Sequence, residues 1–474
     1  MSGVFKNYGE QVAAVDEWNN HITYSELFEF SEELWKMVQR RCLVFSLCTN
    51  TIGSLAGYVA FQDKNIVPLL LSDKLDKELY EFLVASYHPE YIWIPKSSEL
   101  MKTEYEIIYE KFDYILCRTR LSSFILSDEL ALLLTTSGST GSPKLVRQSY
   151  KNIQSNTESI VEYLELDSSE KAITTLPMNY TYGLSIVNTH LYVGATLLLT
   201  DKALMQKDFW EFFNKEQATS FGGVPYTYEM LEKLRFFNMQ LPSLRYMTQA
   251  GGKLTPKLHK LFAEYAIENG KKFIVMYGQT EATARMSYLP YNRSLEKYGS
   301  VGIAIPGGMF ELIDVKGEII ETPDMTGELV YKGNNVTLGY AETGEDLSKG
   351  DERHGVLVTG DMAKRDEDGF YYIVGRKKRF LKIYGNRVNL DEVEKLLKTE
   401  YHAFDCACSG VDDKLYVFIT NSQYSRSVKK FIAEKTGINM IAFKIVVVDE
   451  IPKNDAGKTL YREMNQYIEG NCNK

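Results

Sequence analysis

The chain has no run approaching the roughly 20 consecutive apolar residues that a membrane-spanning helix needs. Its first residues, MSGVFKNYGEQVAAVDEW, also lack the basic start and apolar core of a secretory leader, so a cytoplasmic location is expected. Cysteine is sparse: Cys42, Cys48, Cys117, Cys406, Cys408 and Cys472 include no Cys-x-x-Cys pair, and Cys406 and Cys408 are separated by one residue. This spacing argues against a zinc site, and the cysteines read as reduced thiols. The six histidines are dispersed, which leaves little basis for a protein-built metal site or a Ser-His hydrolase. An excess of positive charge is missing too, with 54 Lys and Arg against 63 Asp and Glu and a net charge of −9. That balance disfavours nucleic acid or an anionic membrane surface as the main partner.

What is present begins with LLLTTSGSTGSPKLV, from Leu132 to Val146, where an apolar β-type run ends in a loop of Ser, Thr, Gly, Pro and Lys. Gly138 and Gly141 let the backbone bend so that its N–H groups converge on an anion. Ser137, Ser139 and Thr140 add hydroxyl donors, and Lys144 adds a positive charge. Such a loop suits phosphate. It is not a Walker A loop, because Ser142 and Pro143 stand between its last glycine and its lysine.

At 474 residues the chain exceeds what one hydrophobic core usually serves, so two or more lobes are expected. Helical and strand patterns alternate without repeats. Thr23 to Glu26 (TYSE) reads as a capping box, and Leu27, Leu34, Met37 and Val38 supply an apolar stripe to the helix it opens. Apolar segments at Leu130–Leu134, Ala195–Leu199 and Phe273–Met276 alternate with helical stretches at Lys207–Lys215 and Tyr226–Phe236, which predicts an α/β fold. Past Gly369 the character changes to FYYIVGR, a lysine-rich joint, a hairpin turning at Gly385 and Asn386, and a helix from Leu390. Asn389 and Glu392 form its cap, and Leu390, Val393, Leu396 and Leu397 share one face.

Other motifs follow the loop in order: YGQTE at Tyr277–Glu281, GSVGIAIPG at Gly299–Gly307, GELVYKGNNVTLGY at Gly327–Tyr340, and TGD at Thr359–Asp361. GRKKRFLKIYG at Gly375–Gly385 and PKNDAGKTLYR at Pro452–Arg462 complete the series. Together with the phosphate loop, the series resembles the adenylate-forming superfamily of acyl-CoA synthetases, peptide-synthetase adenylation domains and luciferases. The resemblance implies a large multi-sheet N-terminal lobe, residues 1–376, that binds ATP and the acyl group. A small mobile α+β C-terminal lobe, residues 377–474, would carry the catalytic lysine. It also implies ATP and Mg²⁺ as cofactors, a small carboxylic acid as substrate, and coenzyme A or a carrier-protein phosphopantetheine as acceptor.

By that resemblance, Lys458 bridges the carboxylate and the α-phosphate, Thr280 contacts the α-phosphate, and Glu281 holds Mg²⁺. Carboxylate plus phosphate oxygens is a ligand set that magnesium favours. Thr136, Ser137, Gly138, Ser139, Thr140, Gly141 and Lys144 take the outer phosphates. Tyr277 lies against adenine with Gly251, Gly252, Gly278 and Ile373 nearby, while Asp361 and Arg376 orient the ribose hydroxyls. Lys378 aligns with the hinge about which the small lobe turns, and the segment Lys382–Asn386, including Gly385, is presented for thiol transfer. The cluster Lys377, Lys378, Arg379 and Lys382 reads either as a contact for coenzyme A phosphates or as solvated hinge charge.

Tyr180, Tyr182, Gly183, Tyr226 and Ala250 are expected to line the acyl pocket. No acid occurs between Leu176 and His190, where amino-acid adenylation domains place an aspartate for the substrate ammonium, so an α-amino acid is disfavoured. Tyr180 stands where many acyl and aryl ligases have histidine, which argues against an aryl acid, and the pocket side chains suggest a small or medium acid, with or without a hydroxyl. Lysine at the hinge favours coenzyme A as acceptor. Leu145 in place of a glycine, and the compact segment from Thr399 to Asn421, keep open a standalone adenylation enzyme that loads an acyl or amino acid onto a carrier protein. A different class, a nucleotide-binding module without catalysis, is opposed by the joint presence of Lys144, Glu281, Asp361 and Lys458.

Overall fold

Local signals fix many of the elements. In the computed structural model, which describes residues 8–100, 105–135, 144–383, 386–411, 413–453, 459–461, 463 and 464, Thr23 caps the helix Tyr24–Val38 through a full capping box with Glu26. The buried stripe of that helix is Tyr24, Leu27, Phe30, Ser31, Leu34 and Val38, whereas the predicted stripe residue Met37 is 37% exposed. Ten residues beyond Leu27, at about 100° per residue, Met37 falls well off the stripe. The expected strands appear as Leu130–Thr135, Thr196–Leu199 and Lys272–Tyr277, and the expected helices as Lys207–Glu216 and Pro225–Lys233. Asn389 caps the helix Leu390–Glu400 by accepting from the Asp391 N–H, and Leu390, Val393 and Leu397 are buried on it.

The chain separates into two compact units, Met1–Phe310 with Tyr331–Leu357, and Glu311–Val330 with Val358–Lys474. The first unit holds two large sheets. In the nine-stranded sheet, Val12–Asp16, Thr196–Leu199, Lys171–Ile173, Ser220–Gly223, Tyr246–Gln249 and Lys272–Tyr277 are adjacent and parallel. The eight-stranded sheet has a parallel centre of Leu130–Thr135, Val67–Ser72, Leu43–Cys48 and Tyr91–Pro95. Both faces of such parallel strands must be covered, so they read as near-continuous apolar runs. One large core cluster draws on both sheets, with Ala14 and Leu197 from one and Val44 and Leu132 from the other. The helices Tyr24–Val38 and Ile52–Asp63 contribute to the same cluster.

In the second unit, a three-stranded sheet of Cys406–Val411, Lys414–Ile419 and Phe443–Val447 is covered on both faces. Cys406, Cys408, Leu415, Val417 and Ile419 pack in the cluster that holds Val393, Leu397, Val428 and Ile432, while Ala407, Tyr416 and Phe418 pack with Val448, Ile451 and Met464. This is the period of two that a strand dictates. The hairpin forms from Phe380–Ile383 and Asn386–Asn389, with Ile383 opposite Asn386. The strand Tyr371–Arg376 pairs antiparallel with Val356–Arg365, from Asp361 opposite Arg376 to Arg365 opposite Tyr371. Among the described residues no helix is long and apolar enough to cross a membrane; Cys42, Cys48, Cys406 and Cys408 are free and buried, and Cys117 is buried as well.

Candidate active site

Parallel strands deliver their carboxyl ends to one edge of a sheet, which is where open α/β folds place ligands. Three adjacent strands do so here. Ser220–Gly223 leads into Val224 and Tyr226, Tyr246–Gln249 into Ala250, Gly251 and Gly252, and Lys272–Tyr277 into Gly278, Thr280 and Glu281.

The turn after the middle strand is fixed by backbone geometry. Gly251 has φ +80°, and a Cβ there would lie 2.6 Å from the hydroxyl of Tyr180 and 3.1 Å from Val224, so any other residue would be strained and crowded. Gln249 Nε2 donates to the carbonyls of Ala250 (3.2 Å) and Gly252 (3.0 Å) and holds the turn. Tyr180 precedes the helix Thr181–Tyr192, on which Tyr182 is 3% exposed and donates to Thr248 Oγ1 at 2.9 Å. Burial raises the pKa of both phenols, so they stay protonated. Gly183 approaches the Pro177 carbonyl so closely that a Cβ would lie 2.3 Å from it. Tyr180, Tyr182 and Ala250 fall in one apolar cluster with Val224 and Tyr246. Tyr226 is 51% exposed, in the first turn of the helix Pro225–Lys233.

The turn after the third strand is tighter still. A Cβ at Gly278 would meet the Ala284 carbonyl at 1.7 Å. Tyr277 accepts a hydrogen bond from Gln279 Nε2 at 3.2 Å, and its ring lies 6.5 Å from that of Phe310. Thr280 and Glu281 form a 3₁₀ turn that ends at Thr283, whose φ of 65° and ψ of −57° make a γ-turn closed by Ala284 N–H to Ala282 O at 2.7 Å. A threonine in this conformation is strained. Thr283 is held there by donating to Asn335 O (2.7 Å) while its own carbonyl accepts from Thr181.

Glu281 is fastened at both ends. Its carbonyl accepts from Thr337 N (3.0 Å), Thr337 Oγ1 (2.9 Å) and Arg353 (3.0 Å), and its carboxylate Oε1 accepts from the Tyr340 hydroxyl at 2.7 Å. Tyr340 arrives because Gly339–Ala341 pairs with Leu145–Ser149, placing Tyr340 opposite Val146. Lys144 Nζ lies 5.8 Å from the Tyr340 ring centroid and Arg353 lies 4.6 Å from it. Burial beside the Glu281 carboxylate pushes the Tyr340 pKa up to about 12, which keeps it a donor. Lys144 pairs with Glu342 at 2.5 Å, both side chains being more than half exposed; such a pair is weak enough to exchange for a phosphate. Sequence reasoning missed Tyr340, Thr337 and Arg353, although Tyr340 closes one of the motifs.

The structure thus brings Lys144 and Glu281 together around Tyr340. Among the described residues, Glu281 Oε1 has a single side-chain partner and no partner appears for Oε2. A carboxylate so presented fits a magnesium ion, which prefers one or two carboxylates beside phosphate oxygens and water.

In the second unit, Asp361 and Arg376 are cross-strand partners joined by Nε to Oδ1 at 2.8 Å. Asp361 is 3% exposed, and its N–H donates to Thr359 Oγ1 at 3.1 Å. Ile373 lies on the same strand pair, opposite Ala363. Lys378 lies in the 3₁₀ turn Lys377–Arg379 and Lys382 in the strand Phe380–Ile383. Lys377 pairs with Glu328 at 2.6 Å, while Arg379 pairs with Asp391 and Glu394 and stacks on the Tyr461 ring at 3.7 Å. Arg379 is therefore neither solvated hinge charge nor free for coenzyme A. Thr136, Ser137, Gly138, Ser139, Thr140, Gly141, Gly385 and Lys458 lie outside the described residues.

Comparison with known proteins shows the family and the fold. Residues 4–341 match the family described as AMP-binding enzyme. The chain is 30% identical over 362 residues to the peroxisomal OPC-8:0-CoA ligase 1 of Arabidopsis thaliana, covering 73% of this chain and 65%, less than two thirds, of that ligase. It is 24% identical over 480 residues to the 2-succinylbenzoate–CoA ligase of Bacillus subtilis, covering 97% and 96% of the two chains. The structure of the Bacillus subtilis O-succinylbenzoate coenzyme A synthetase in complex with AMP superposes with a TM-score of 0.79 at 22% identity, covering 98% of each chain. Its complex with ATP and magnesium gives 0.78 at 23% identity, covering 98% and 99%. With the match extending over more than half of its length, the chain belongs to the AMP-binding enzyme family, and its α/β fold is that of the adenylate-forming enzymes.

Proposed function

We propose that the protein is an ATP-dependent, AMP-forming acid–thiol ligase that activates a small carboxylic acid as its acyl-adenylate and passes the acyl group to coenzyme A. The observation that carries the proposal is the convergence of Lys144, Tyr340 and Glu281 beside the end of the parallel strand Lys272–Tyr277. The names of the relatives as CoA ligases support coenzyme A as the acceptor.

In the first half-reaction a carboxylate oxygen attacks the α-phosphorus, the P–O bond to the β-phosphate breaks, and pyrophosphate leaves. Both reactants are anions, so the site must offset their repulsion and hold them in line. Magnesium, held by Glu281, supplies charge neutralisation on the phosphates when bound. Lys144 and the hydroxyls of Ser137, Ser139 and Thr140 take the outer phosphates. Thr280 donates to the α-phosphate, and Lys458 steadies the developing charge between carboxylate and phosphate. Tyr340 fixes the Glu281 carboxylate, and the strained turn at Thr283 sets the direction in which Thr280 and Glu281 project. Asp361 accepts hydrogen bonds from the ribose hydroxyls while Arg376 orients Asp361. In the second half-reaction the coenzyme A thiolate attacks the acyl carbon and AMP leaves. We place the hinge for that step at Lys378 and the moving lobe at residues 377–474. A cytoplasmic location belongs to the same proposal, supported by the free buried thiols of Cys42, Cys48, Cys406 and Cys408.

The test is acid-dependent exchange of labelled pyrophosphate into ATP over a panel of short, hydroxylated, dicarboxylic, aromatic and fatty acids, followed by thioester formation with coenzyme A. Exchange followed by a coenzyme A thioester is the expected result. No exchange with any acid, in folded protein that binds ATP, would refute the ligase assignment.

A further inference from the structure

Four residues beyond Glu281 lies an arginine that the reaction described above leaves without a role. Arg285 is 2% exposed. Its Nε and Nη2 share one acceptor, Ser185 Oγ, at 3.3 and 3.0 Å. Nη1 points at the thioether sulfur of Met276, 2.6 Å away, a weak acceptor. The guanidinium lies over the ring of Tyr182 at 4.0 Å, and among the described residues no carboxylate pairs with it.

Two other arginines in the same chain show how it otherwise handles a buried guanidinium. Arg147, fully buried, donates to the carbonyls of Tyr340, Lys349, Gly350 and Leu338 and pairs with Glu352. Arg379 is held by two carboxylates and the Cys408 carbonyl. Arg285 has one hydroxyl, one sulfur and one ring face. An unpaired buried cation is costly, and a ring face offsets only part of that cost.

The space beside Arg285 is built in keeping with an anion. Its lining holds no acid, and it sets the hydroxyls of Ser185, Ser220, Tyr246 and Thr248 among apolar side chains such as Ile160 and Phe221. Burial holds His190 neutral, with its pKa down to about 4, so the guanidinium is the charge that this lining presents. Tyr182, which covers Arg285, shares the apolar cluster of Tyr180 and Ala250, the side chains assigned to the acyl group.

We infer that Arg285 receives a second carboxylate, at the far end of the acid, so that the substrate is a dicarboxylic acid with one carboxylate activated and the other anchored. The planar fork of a guanidinium matches a carboxylate through two parallel hydrogen bonds. This inference rests on the ligase reading and narrows its substrate class.

The experiment measures pyrophosphate exchange with pairs of acids of equal chain length, with and without a terminal second carboxylate, using wild type, Arg285→Met and Arg285→Lys. Wild type should favour the best diacid over its monoacid partner by at least about a hundredfold in kcat/KM, because a site built to bind a charged group rejects the analogue lacking it. In Arg285→Met that ratio should fall at least about tenfold through the KM of the diacid, and the thermal midpoint should not fall, since the lost charge was unpaired. Should that variant not fold, Arg285→Lys, which keeps the charge without the fork, should also show a reduced ratio. Equal use of both acids by wild type, or an unchanged ratio in the variant that folds, overturns the inference while leaving the ligase reading standing. If no acid supports exchange the ligase reading fails instead. Thermal-shift measurements with each diacid then decide on Arg285: stabilisation of wild type but not of the variants supports the anion site, and its absence in wild type refutes it.

Discussion

The hydroxyl of Tyr340 donates to Oε1 of Glu281 at 2.7 Å, across 59 residues of chain. The same ring lies under Arg353 and near Lys144, so one side chain links a proposed metal ligand, a proposed phosphate ligand and the cation that ties down the Glu281 backbone. Tyr340→Phe keeps the ring and removes only the hydroxyl. Partners of metal ligands typically cost about 10- to 100-fold in metal affinity when lost. The variant should therefore need about tenfold more magnesium for half-maximal exchange while folding normally. An unchanged magnesium dependence would remove Tyr340 from this role.

The Asp361–Arg376 pair predicts an asymmetry. The Asp361 side chain is 4% exposed and that of Arg376 is 48% exposed. Losing the carboxylate leaves a cation that water can solvate, whereas losing the guanidinium takes a charged partner from a buried carboxylate. Arg376→Ala should therefore lower the thermal midpoint more than Asp361→Asn, a difference of about 1 kcal/mol after allowance for the exposure of the arginine. If both groups serve the ribose, each variant should also raise the KM for ATP by about tenfold, in keeping with the loss of a hydrogen bond to a charged group. Steady-state kinetics and thermal melts of the two variants measure both effects.

Two buried histidines set an acid limit on stability. Burial lowers the pKa of His190 and of His259 from 6.5 to about 4. His259 Nδ1 accepts from the Gly299 N–H at 3.1 Å, so a proton there displaces a native hydrogen bond. Between pH 6.5 and 4 the unfolded chain binds the extra proton and the folded chain does not. The stabilisation is therefore complete above pH 6.5 and is lost as pH falls toward 4. Each histidine should cost roughly 1–2 kcal/mol by pH 5. Melts of wild type between pH 7 and 5 should show the fall, and His259→Gln should flatten it. A pH-independent melting temperature over that window contradicts the burial of neutral imidazoles.

Elements written by neighbours in sequence were legible. The Thr23–Glu26 cap, the strand Lys272–Tyr277, the hairpin Phe380–Asn389 and the helix after Asn389 each follow from side chains a few residues apart. Contacts between distant segments were not. Nothing local to Tyr340 says that its strand lies against Leu145–Ser149, and without that pairing its meeting with Glu281 and Lys144 is invisible. The grouping of Glu311–Val330 with the later residues depends on equally distant contacts. Arg285 escaped for another reason: a charged residue in a short segment reads as exposed, and only the packing around Tyr182 and Ser185 places it inside.

The strongest remaining prediction concerns Lys458, whose assignment rests on the motif PKNDAGKTLYR rather than on geometry. If its ammonium steadies charge that develops only as the carboxylate meets the α-phosphate, its removal must slow adenylation without weakening ATP in the ground state. Lys458→Ala should reduce pyrophosphate exchange by at least about 10³-fold, at the upper end for a single electrostatic group, with the dissociation constant for ATP changed by less than about threefold. Because thioester formation starts from an adenylate already made, the same variant supplied with synthetic acyl-adenylate and coenzyme A should still release AMP. Equal losses in both half-reactions would instead make Lys458 a residue of folding or lobe closure. Unimpaired exchange would return the catalytic role to another cation of the site, with Lys144 beside Tyr340 the first to test.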